Sequence, residues 1–165
     1  MKINKDFILA FTIASIAVIL DQISKSLILN YKFLLPMKVS TFDIFNIVYV
    51  ENKGISFGML SEYNIPFWLG ILSFMISLYV IFLIVKSESK LELTGLSLIL
   101  GGAIGNGIDR LFSGYVIDFI DLYYRNFHWP AFNFADSFIT VGAVLFFIKL
   151  SVSYTHLTLP TTLQV

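Results

Sequence analysis

The sequence predicts an all-α membrane protein: four transmembrane helices with a small extracytoplasmic β-containing platform between the first two. Three observations carry this. The chain of 165 residues is 57% hydrophobic and 16% aromatic with only 13% charged residues, about half the charged share of a soluble domain, and its mean hydropathy is +0.83. Four segments approach or reach the ~20 residues that a helix needs to cross the hydrocarbon core. The long connection after the first of them is rich in β-branched and aromatic residues.

The first span is Phe7–Leu29. Lys2 and Lys5 precede it, as in a secretory signal, but it lacks a small-residue cleavage site and runs on past Asp21, so it reads as a retained span. The second, Ile65–Val85, carries no charge at all. The third is Leu93–Phe112. The fourth is roughly Pro130–Leu150, whose uncharged run Ser137–Ile148 is only twelve residues long. Extending that run toward its N-terminus to crossing length draws Asp136 into the helix.

An even number of spans places both termini on one side. Lys2, Lys5, Lys86, Lys90 and Lys149 fall on that side; Lys32, Lys38, Lys53, Arg110 and Arg125 fall on the other, spread over much longer segments. Basic density therefore favours cytoplasmic termini, with Asn30–Asn64 and Ser113–Trp129 extracytoplasmic. Within the first of these, FDIFNIVYVENKGISFGML is broken by Asn-Lys-Gly, a hairpin signal, and reads as a platform on the membrane surface. Residues 151–165, SVSYTHLTLPTTLQV, lack the periodicity and charge of a cytoplasmic tail and are set aside as non-native or disordered.

Composition also excludes chemistries. With no cysteine, disulfides, thiolate catalysis and cysteine-ligated metals are ruled out. His128 and His156 are too few for a histidine-rich metal site; an all-carboxylate site is a minor alternative, and no metal or cofactor is expected. A net charge of zero with two arginines gives no footprint for nucleic acid.

The polar residues inside or beside the spans hold the information, because a charge in the bilayer is costly unless compensated. In DQISK, Asp21 and Lys25 stand at i and i+4 on one helix face, as a functional group or as a structural pair entering the membrane together. Asn52 and Gly54 in ENKGISFGML read first as a turn. GGAIGNGIDR offers Gly101 and Gly105 as a GxxxG packing pair, which leaves Asn106, Asp109 and Arg110 unexplained. Arg110 is suited to holding Asp109, another carboxylate or a peptide carbonyl. In VIDFID, Asp118 lies among Val116, Ile117, Phe119 and Ile120, whereas Asp121, nearer tyrosines and an arginine, reads as an ordinary loop charge. In FNFADS, Asn133 precedes Asp136 by one helical turn, which fits helix capping and catalysis about equally.

Two carboxylates within hydrogen-bond reach in a poorly hydrated place cannot both ionise and come to share a proton. One then acts as base and the other as acid, which suits peptide hydrolysis without metal or covalent intermediate. Eighteen positions separate Asp118 from Asp136, enough for the chain to turn and bring adjacent helix ends together.

The stretches DQISK, NKGISF, GGAIGNGIDR, VIDFID and FNFADS, in this order from residue 21 to about 140, resemble the lipoprotein signal peptidases (signal peptidase II), bacterial membrane aspartic peptidases. The resemblance implies that Asp118 and Asp136 are the catalytic dyad. It implies that Asn52, Asn106, Arg110 and Asn133 bind substrate or support the dyad, with Asp21, Lys25 and Asp109 as structural polar groups. It implies removal of signal peptides from diacylglyceryl-modified prolipoproteins, by cleavage before the lipidated cysteine, in a site open to membrane lipid. Residues 1–150 would then be one four-helix peptidase domain of the bacterial cytoplasmic membrane, acting as a monomer with its active site toward the extracytoplasmic face. Gly107, where a larger apolar residue is expected, and Ile55, where alanine is usual, depart from the pattern.

Two other readings compete. A proton-coupled transporter would relay protons through Asp21, Asp118 and Asp136, but four spans without an internal repeat are few for one. A scaffold subunit leaves the outer polar cluster without a purpose.

Overall fold

A computed structural model of the chain describes residues 5–35, 37–38, 44–54 and 65–158. Four helices, α1 (Lys5–Tyr31), α2 (Pro66–Lys86), α3 (Lys90–Phe112) and α4 (Phe134–Thr158), carry most of it. All four are long and apolar enough to cross a membrane. Of the most apolar window of α3, 61% is buried, against 22%, 22% and 11% for those of α1, α2 and α4. The third helix is therefore the axis on which the others pack, and they turn their apolar faces outward to lipid.

Local chemistry fixes the helix ends. Pro66 opens α2, where its missing N–H costs nothing and its fixed φ suits the first turn. Ser89 caps α3 by accepting from the Glu92 N–H at 3.2 Å. The buried stripe of α1, Ala10, Ala14 and Ala17 followed by Asp21 and Lys25, keeps helical spacing and changes from small to charged along the axis. At Gly101 a Cβ would stand 2.6 Å from the Ala17 Cβ, so this first glycine of the GxxxG pair permits the close approach of α1 and α3. An apolar cluster of Ala10, Ala14, Val80, Ile84, Leu93, Leu96 and Leu100 fills the half of the bundle nearer the termini.

The opposite end is covered by a four-stranded antiparallel sheet in the order β1-β2-β3-β4, formed by Met37–Lys38, Phe45–Asn52, Val116–Tyr124 and Phe127–His128. The expected platform is present, but it does not belong to the first connection alone. VIDFID, expected as a loop leaving the third span, is a strand of this sheet, because its alternating branched and aromatic residues pair with those of β2. The fourth helix begins at Phe134 rather than near Pro130, and it continues to Thr158, eight residues into the segment set aside above. Ile55 lies outside the described residues.

Candidate active site

The strand β3 and the start of α4 are locked together just before the helix begins. Phe119 N and Ile120 N donate to Phe132 O at 3.0 and 2.8 Å, and Phe132 N returns a bond to Ile120 O at 3.1 Å. The next residue, Asn133, is thereby pressed against Asp118.

Asn133 and Asp136 form a reciprocal helix cap: Asp136 N donates to Asn133 Oδ1 at 2.9 Å, and Asn133 N donates to Asp136 Oδ2 at 3.2 Å. Capping and a role beside Asp118 are thus not alternatives. With its oxygen committed to the cap, the Asn133 amide nitrogen is free to donate to Asp118 Oδ1 at 2.7 Å. One fully buried asparagine holds both carboxylates.

Each carboxylate has a second amide. Asn52 Nδ2 donates to Asp118 Oδ2 at 2.9 Å while its own oxygen accepts from Gly54 N at 3.0 Å, so the turn expected at Asn-Lys-Gly is what aims this side chain. Asn106 Nδ2 donates to Asp136 Oδ1 at 2.8 Å. Asp118 is 2% exposed. That burial, with the charge of Asp136 adding to it, pushes its carboxyl up from 3.8 to about 6, against the opposing pull of the Asn52 and Asn133 amides and the Lys25 charge.

Arg110 donates to the Gly54 carbonyl at 3.0 Å, the peptide-carbonyl option among its expected partners, and its charge also acts on Asp136 and Asp118. Asp109 turns the other way, to an ion pair with Lys25 at 2.7 Å. Lys25 also meets Asp21 at 2.8 Å, as their i, i+4 spacing requires. At Gly105 a Cβ would come 2.6 Å from Asp21 Oδ2, so the second glycine of the GxxxG pair makes room for a carboxylate. At Gly107, where a larger apolar residue is expected, a Cβ would stand 3.0 Å from the Phe74 ring, so α2 packs closely against the glycine and a side chain there would require the ring to shift.

The structure thus brings Asp21, Lys25, Asn52, Asn106, Asp109, Arg110, Asp118, Asn133 and Asp136 to one end of the bundle under the sheet. Sequence reasoning missed Gln22, whose amide donates to Asp109 Oδ1 at 3.0 Å, to Asp21 Oδ2 at 3.2 Å and to Gly105 O at 3.3 Å. An amide beside Asp21 within an apolar span was its only signal. The reading of Asp121 as an ordinary loop charge is corrected: it is 7% exposed and is held by Asn46 Nδ2 at 2.8 Å and His128 Nδ1 at 2.9 Å. A strand, which hides alternate side chains that a loop would leave in solvent, accounts for the difference. Among the described residues no group of three or more acidic or histidine side chains is arranged to hold a metal ion.

Four apolar helices of crossing length around a buried polar cluster define a polytopic membrane protein. Comparison with known proteins agrees. A model of the family described as Signal peptidase (SPase) II matches residues 13–152. The lipoprotein signal peptidase of Thermodesulfovibrio yellowstonii is 43% identical over 150 residues, 90% of this chain and 96% of that one. That of Polynucleobacter necessarius is 45% identical over 137 residues, 81% of this chain and 83% of that one. A solved structure of a bacterial membrane enzyme superposes with a TM-score of 0.76 at 29% identity, covering 94% of each chain. The chain belongs to the signal peptidase II family. It is an aspartic peptidase of a bacterial membrane, and it removes signal peptides from prolipoproteins.

Proposed function

We propose that Asp118 and Asp136 are the catalytic dyad of this peptidase. The observation that carries the reading is Asn133, whose side-chain and backbone nitrogens donate to one carboxylate each, at 2.7 and 3.2 Å. Asp118, raised to about 6, holds the shared proton and polarises the scissile carbonyl. Asp136 takes a proton from the attacking water, and the proton passes to the departing amine as the tetrahedral adduct collapses. The dyad activates water directly, as in the soluble aspartic peptidases.

Asn52, Asn106 and Asn133 hold the carboxylates in place, and Arg110 holds the Gly54 carbonyl and adds positive charge beside the dyad. The substrate is a diacylglyceryl-modified prolipoprotein cut before its lipidated cysteine, reached from lipid because its signal helix and acyl chains both lie in the bilayer. Basic-residue density supports cytoplasmic termini and a dyad near the extracytoplasmic face. The enzyme acts as a monomer, with the chain from residue 1 to 150 as one catalytic domain.

The test compares purified wild type with Asp118→Asn and Asp136→Asn on lipidated and unlipidated prolipoprotein, followed as a size change on a gel. Both variants are expected to stay folded and to lose activity by at least ~10³-fold. Cleavage at near wild-type rate by either one refutes the dyad.

A further inference from the structure

We propose that Lys25 is a positioning residue for catalysis, its ammonium fixing the Asn106 amide so that this amide donates to Asp136; the proposal rests on the dyad assigned above. Lys25 is 2% exposed, inside a membrane helix. Two of its neighbours, Asp21 Oδ2 at 2.8 Å and Asp109 Oδ2 at 2.7 Å, account for its burial as an ion pair. They do not account for its third contact, a hydrogen bond to Asn106 Oδ1 at 2.9 Å.

That contact has a directional consequence. An asparagine amide has two ends of nearly equal shape, one a donor and one an acceptor, whereas an ammonium only donates. With Oδ1 held by Lys25, Nδ2 of Asn106 is turned to Asp136 Oδ1 at 2.8 Å. Rotated by half a turn, the amide would set N–H against N–H at Lys25 and oxygen against oxygen at Asp136. Asn133 Nδ2 reaches the same Asn106 oxygen at 3.3 Å and so favours the same orientation.

The ammonium is itself held firmly. Asp21 accepts from Ala135 N at 2.9 Å, tying it to the residue before Asp136, and Gln22 donates to both Asp21 and Asp109. Arg110 and Asp118 also act on Asp136 through charge, and neither fixes the Asn106 amide. A chain of oriented bonds therefore runs from the α1 lysine through α3 to the carboxylate on α4.

Lys25→Met alone leaves Asp21 and Asp109 unpaired, so the informative variant adds Asp109→Asn and removes one charge of each sign. Its kcat and KM are measured on lipidated prolipopeptide in detergent, beside its melting midpoint. We expect kcat to fall roughly 10- to 100-fold, the worth of one charge-assisted hydrogen bond, with KM within about twofold. Adding Asn106→Ala should then cost nothing beyond Asn106→Ala by itself, since both changes remove the same bond. Unchanged kcat, or losses that multiply in the combined variant, overturns the proposal. If the paired variant does not fold, Lys25→Met with Asp21→Asn and Asp109→Asn buries no charge and is put through the same comparison. Activity retained by Asp118→Asn would refute the dyad whatever Lys25 does. An inactive Asp118→Asn beside a fully active Lys25 variant refutes the positioning role alone.

Discussion

Asp118 and Asp121 stand three residues apart on one strand, both buried, at 2% and 7% exposure, and each accepts from an asparagine of the neighbouring strand. Their surroundings nevertheless make them opposites. An odd separation on a strand sends them to opposite faces of the sheet. Asp118 faces the helix ends and meets amides and a second carboxylate, so its charge is opposed. Asp121 faces outward to His128, a partner able to carry positive charge, stacked on Tyr123 with ring centroids 5.2 Å apart. Burial alone therefore does not set Asp118 apart from Asp121; what differs is whether the facing partner opposes its charge or can neutralise it.

The partners on β2 pose a puzzle with a physical answer. Asn46 and Asn52 are six residues apart, an even number, so a regular strand would place both on one face, yet they serve carboxylates on opposite faces. The register supplies the missing step: Ile47 pairs with Ile120 but Val50 with Asp118, so β2 carries one extra residue there, a bulge. Beyond it every side chain changes face, and Asn52 turns toward the dyad. Inserting one alanine between Val50 and Glu51 reverses the faces beyond it once more and returns Asn52 to the Asp121 side. The expected result is a loss of peptidase activity of roughly 10²-fold or more, with a smaller loss of melting temperature; activity within threefold of wild type rules out the facing of Asn52 as what serves Asp118.

Asn52 also sharpens the contrast through pH. The carboxyl of Asp118 titrates near 3.8 unfolded and about 6 folded, so the folded protein favours its protonated form. The stability this contributes is complete below about 3.8 and is lost as pH rises through about 6. The proposed mechanism needs the same proton, so kcat/KM should fall on the alkaline side, with an apparent midpoint that belongs to the pair. The Asn52 bond pulls the Asp118 carboxyl down, so Asn52→Ala should move that alkaline limb up. A limb that moves down, or stays fixed while kcat falls, rejects the assignment of the shared proton to Asp118.

How much of this was legible from the chain follows the same division. Hydropathy exposes helices directly, so all four spans could be read, and polar residues inside apolar runs marked most of the cluster because the bilayer makes each of them costly. Asn133 and Asp136 were legible as a pair by their one-turn spacing. Pairing between strands that lie far apart in sequence leaves no local mark, so neither the inclusion of VIDFID in the sheet nor the bulge in β2 was visible. Gln22 went unremarked, and Asp121 was read as an ordinary loop charge, because the meaning of each depends on partners supplied by another element.

The smallest expected effect isolates Asp121 from the chemistry. Asp121→Asn keeps the shape and replaces one carboxylate oxygen by an NH2 group, which removes the charge facing His128 and sets one N–H against another where that group meets Asn46 Nδ2. Because the His128 side chain is 55% exposed, solvent screens most of that interaction, and the cost is about 1 kcal/mol. The variant should melt a few degrees lower while cleaving prolipoprotein within about threefold of wild type, and its alkaline limb should not move. A tenfold loss of kcat, or a shifted limb, would mean that the outer face of β3 communicates with the inner one. The sheet would then be part of the titrating machinery, and facing alone would no longer separate the aspartate of VIDFID proposed for catalysis from the one that is not.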